Sequence, residues 1–191
     1  GLGWAVLGPI GAVIGGIIGA EFDENGSSGD HPYLDGDIDD DASVGSYSTT
    51  RNDFLASLII VFSYVIKADR RVDKSEIQYV KDYLLARVAN RDLAQELMYL
   101  LKQVLQRDVD IRPVVRQIAD YMDLSSRIQF IHQLFELAGS DGQLADAEID
   151  AIRRVTLGIG LGQRDFDSIF SAYQPEDHGD AYTILEISPE A

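Results

Sequence analysis

Closely spaced carboxylates are the chemistry this sequence offers. Asp69, Asp73 and Glu76 fall in KADRRVDKSEIQYV, and Asp141, Asp146 and Glu148 fall in GSDGQLADAEIDAI. Oxygen clusters of this kind suit a hard divalent cation, calcium or magnesium. Acidic residues at helix starts have a second use, because they accept from free first-turn amides and complement the helix dipole. Both readings stand on the sequence. The six residues are candidates for an ion or a partner, with Asp141 and Glu148 the metal candidates, and they are equally capping residues.

Little else competes with them. The chain has no cysteine, which excludes disulfides, thiolate metal sites and cysteine nucleophiles. Its three histidines, His31, His132 and His178, lie far apart and form no paired-ligand motif. No nucleophile–base pair or phosphate loop is visible, so the expectation is a non-enzyme. A formal net charge of -16 repels phosphate backbones and argues against nucleic-acid binding. The run Asp35, Asp37, Asp39, Asp40, Asp41 invites a calcium-loop reading and fails it. Counted from Asp35, the sixth position is Asp40 rather than Gly and the twelfth is Ser46 rather than Glu.

Helices must position the two acidic stretches. Phe54, Leu55, Leu58, Ile59, Phe62, Val65 and Ile66 recur at helical steps, and the helix they form should stop near Ala68. Asp73 with Glu76 makes an Asp capping box for the next helix. Asn90 and Asp110 cap two more, with Pro113 in a first turn where a missing N–H is tolerated. Further helices are expected over 125–138, from about Ala145 to Gly158 or Gly160, and over 163–172. No hairpin signal separates alternating runs. The predicted fold is all-α, a compact bundle of about seven helices.

The bundle should have two pseudo-symmetric halves. An offset of 72 residues aligns Asp69 with Asp141, Val72 with Leu144, Glu76 with Glu148, Ile77 with Ile149 and Val80 with Ile152. Upstream it aligns Ile59 with Ile131 and Phe62 with Leu134. Each unit reads helix, acidic turn, helix, with Val72 and Leu144 expected to plug back into the core. The first turn has Arg70 where the second has Gly142, the residue suited to a left-handed helix end.

The ends of the chain differ in character. Residues 1–20 carry no charge, and twenty helical residues span roughly 30 Å, about one hydrocarbon core. Gly11, Gly15 and Gly19 form a small-residue stripe that lets helices approach in lipid, so a homodimer through this segment is expected. Residues 21–50 hold nine acidic residues and no Lys or Arg, and read as a disordered linker. Residues 51–175 are the helical domain, and 176–191 a second linker with a terminal motif.

Two resemblances follow from these residues. The repeated Asp-Gly-x-Leu/Val…Glu pattern resembles the TerB-like, tellurite-resistance family over roughly residues 52–173, with Arg70 departing from it. That resemblance implies an all-α, non-catalytic domain whose acidic residues bind ions or partners under stress. In DAYTILEISPEA, Tyr182, Leu185, Ile187 and Ala191 resemble the opening of a J domain. Membrane-like helix, linker, TerB-like domain and J domain is the order of DjlA-type membrane-anchored DnaJ-like co-chaperones. This resemblance implies a DnaK-type chaperone and client proteins as partners, and a bacterial inner-membrane location facing the cytoplasm. It also implies a J domain continuing past Ala191, since His-Pro-Asp is not yet reached; His31-Pro32 is followed by Tyr33.

Overall fold

The computed structural model describes residues 42–174, and all its regular structure is helical. The helices are α1 (Ala42–Ile66), α2 (Lys74–Arg87), α3 (Arg91–Leu105), α4 (Ile111–Tyr121), α5 (Leu124–Ala138), α6 (Asp146–Gly158) and α7 (Gln163–Ser171). A 3₁₀ turn, Gly139–Asp141, follows α5. The predicted membrane-like segment and the J-domain motif lie outside the described residues. Among the described residues no helix is long and apolar enough to cross a membrane.

Helix α1 is the axle of the bundle and packs against α2, α3, α4, α5 and α6. Leu55, Ala56, the run Leu58–Phe62, Val65 and Ile66 are all buried, as an apolar stretch without a polar face requires. Two hydroxyls inside this run need partners, and they bond their own helix. Ser57 Oγ donates to the Asp53 carbonyl and Ser63 Oγ to the Ile60 carbonyl, both at 2.7 Å. The helix starts at Ala42, earlier than its apolar stripe, so residues 42–50 are helical rather than linker. Extending an anchored helix needs no new nucleus, so weak formers such as Ser46 and Thr49 can follow.

The helix ends follow the local signals. Asp73, Asn90, Asp110 and Asp123 are N-caps whose side chains accept from the first-turn amides. Positive φ occurs at Arg70 (64°), Gly142 (87°) and Gly160 (89°), each just beyond a helix or turn. Arg70 thus adopts the left-handed conformation that Gly142 adopts in the other half.

The repeat holds in the core. Ile59 and Ile131, Phe62 and Leu134, and Val80 and Ile152 are all buried. One expectation fails: Leu144 packs against the core, but Val72 is 53% exposed. Leu144 lies over Gly139, where an added methyl would sit 3.9 Å from its Cγ. The equivalent of Gly139 is Lys67, whose ammonium is directed to the Arg107 carbonyl and Asp108.

Candidate functional site

Both acidic turns are built by the same backbone bonds. Asp69 Oδ1 accepts from the Arg71 amide and Asp141 Oδ1 from the Gln143 amide, each at 2.8 Å. Two residues further on, each chain enters its helix. Glu76 Oε2 accepts from the Asp73 amide at 2.8 Å, and Glu148 Oε2 from the Ala145 amide at 2.9 Å. These are the third-position carboxylates of two capping boxes, reaching back to the cap residue. Asp73 supplies the side-chain half of its box; Ala145 has no such side chain, so the second box is half complete.

The turns do not form two separate sites. They face one another and line a single cavity of about 120 Å³, with Asp69, Asp73 and Glu76 from one half and Asp141 and Glu148 from the other. Arg71 and Gln143 also line it. Asp146 does not. It is the first residue of α6 and stands exposed, so it leaves the set it was expected to complete.

Glu76 and Glu148 are the buried members, at 4% and 5% exposure. Both line the same cavity, close enough for each carboxyl to shift the other's titration. Burial pushes the Glu76 carboxyl up to about 8; the capping bond from Asp73 opposes this, and Glu148, with the charge of Asp69, adds to it. Burial also raises Glu148, while its capping bond and Glu76 pull it down. Burial of the pair favours keeping a proton between them, because two like charges this close cannot both ionise cheaply.

A protein-family comparison decides the family. The model described as tellurite resistance protein TerB matches residues 55–170. The chain belongs to the TerB family. No curated protein and no solved structure matched. The cavity of this TerB domain is thus made by its two internal repeats, one wall from each.

The donor chemistry of the TerB cavity suits a hard cation, with carboxylate oxygens in excess over the single Arg71. The spacing is looser than the chemistry. Among the described residues no three acidic or histidine side chains are close enough to hold a bare metal ion. An ion held through its own water would need only one or two of these carboxylates.

Two long-range contacts were not legible in the sequence. Tyr79 Oη donates to Glu136 Oε2 at 2.9 Å, joining α2 to α5 across the halves. His132 Nδ1 lies 2.9 Å from Tyr173 Oη, and that hydroxyl also reaches the His132 carbonyl at 3.2 Å. His132 is thus partnered by Tyr173.

Proposed function

We propose that the chain is a non-catalytic, TerB-type interaction module of a membrane-associated J-domain co-chaperone, which places the J domain for a DnaK-type chaperone. The observation that carries this reading is the terminal DAYTILEISPEA, which begins at Asp180, soon after the TerB match ends at residue 170. The uncharged, Gly-striped residues 1–20 support an anchor at the inner membrane, facing the cytoplasm where such a chaperone works. The TerB match by itself supports a tellurite-resistance-type domain, and the co-chaperone role is the finer step.

The test is the coding sequence beyond Ala191 together with single-turnover ATP hydrolysis by a DnaK-type chaperone. A His-Pro-Asp loop within the next few tens of residues, and faster hydrolysis with the full-length protein, are expected. Absence of that loop sinks the reading.

The shared acidic cavity favours a second reading, in which the TerB domain senses a hydrated divalent cation. Titration calorimetry with magnesium and calcium would show saturable heat that Glu148→Gln weakens. No heat and no rise in melting temperature at millimolar ion would exclude it.

A further inference from the structure

The two halves share a register but differ in side chains where the helices cross. Helix α2 packs on α5, and by the same repeat α6 packs on α1. In the first crossing the Tyr79 ring stands between the helices and bonds Glu136. The 72-residue offset carries Tyr79 to Ala151 and Glu136 to Tyr64. A methyl group stands where the other half has a phenol. A cavity of about 370 Å³ lies there, floored by Ile60, Val104, Ile111 and Ala151.

The charges differ as well, and one of the changes adds an acid, since Gln78 becomes Asp150. Asp82 becomes Arg154, and Gly139 becomes Lys67. Both cations line the cavity, and so does Arg107. Arg154 Nη1 reaches Tyr64 Oη at 3.4 Å, and Lys67 Nζ donates to the Arg107 carbonyl. Two acids also line the cavity, and each is ion-paired. Asp150 pairs with Arg153 at 2.6 Å, and Asp108, 3.6 Å from Lys67, is fully exposed.

We propose that this cavity binds a small organic anion, a carboxylate on an aromatic or similarly sized apolar body. Its ring would take the place that the Tyr79 ring takes in the other half. Its carboxylate would meet Arg154 and Lys67. The volume falls within the range of small-molecule sites, and an apolar floor with a few converging polar groups is their usual make-up. Charge-assisted bonds to Arg supply the selectivity, since the rest of this acidic surface repels anions.

The test is NMR of the full chain titrated with phenylacetate, with phenylacetamide as the uncharged control. Saturable shifts are expected at the Tyr64, Lys67, Ala147 and Ala151 amides, with affinity weakened roughly tenfold for the amide and in Arg154→Gln. Ala151→Tyr, which restores the ring, should abolish the shifts. Should that buried substitution unfold the protein, Ala147→Trp at the exposed mouth does the same job. Equal binding of acid and amide, unchanged binding by Arg154→Gln, or no shift at these residues up to about 10 mM would each overturn the proposal.

Discussion

Glu76 and Glu148, one from each repeat, are buried in the wall of one cavity between the halves, while each also caps its own helix. This relationship gives the domain a proton whose loss is costly. The Glu76 carboxyl sits near 8 when folded, against an ordinary 4.5. A raised folded value means a contribution to stability that is complete below 4.5 and is lost as pH rises through about 8. Thermal melts between about pH 5 and pH 9 should show a falling melting temperature. In Glu76→Gln, which cannot ionise, the fall should be shallower. An identical slope in both proteins would rule out the raised Glu76 carboxyl.

Arg70 and Gly142, the positive-φ residues of the two acidic turns, should respond in opposite ways. Arg70→Gly relieves a left-handed conformation and should stabilise by roughly 1 kcal/mol. Gly142→Ala should destabilise by about the same amount, although nothing lies within 4 Å of the added methyl, because the backbone alone resists it. Urea denaturation of the two variants checks both signs.

Tyr79→Phe removes the bond to Glu136 and keeps the ring. A loss of about 0.5–1.5 kcal/mol is expected. In a double-mutant cycle with Glu136→Gln, a coupling near zero would show that the ring, and not its hydroxyl, holds α2 to α5.

Phe62 is fully buried and meets Tyr83 edge-on at 4.9 Å and Phe130 at 5.8 Å. Phe62→Ala should cost about 3–5 kcal/mol, since neighbours held by helix packing cannot close the cavity. Phe62→Leu installs the residue of the other half, Leu134, and should cost much less. Comparable losses for the two would show that burial at this site is not the source of its stability.

Periodicity, caps and the repeat were legible from one sequence because they are local. Asp73, Asn90 and Asp110 cap helices for reasons contained within a few residues, and Ile59 and Ile131 repeat for the same core. Val72 was expected inside by analogy with Leu144, and its 53% exposure is set by packing that the repeat pattern does not carry.

The sequence by itself determined the all-helical fold, the two acidic turns and the capping roles of Glu76 and Glu148, since hydrogen bonds within one turn depend on neighbours in the chain. Only the tertiary structure decided that the two turns make one cavity, that Asp146 stands outside it, and that Glu76 and Glu148 are buried in its wall. It also placed Ala151 and Tyr64 at a cavity where the other half has Tyr79 bonded to Glu136. Burial and like-charge proximity depend on which helices meet across the pseudo-two-fold axis, and that is a property of packing.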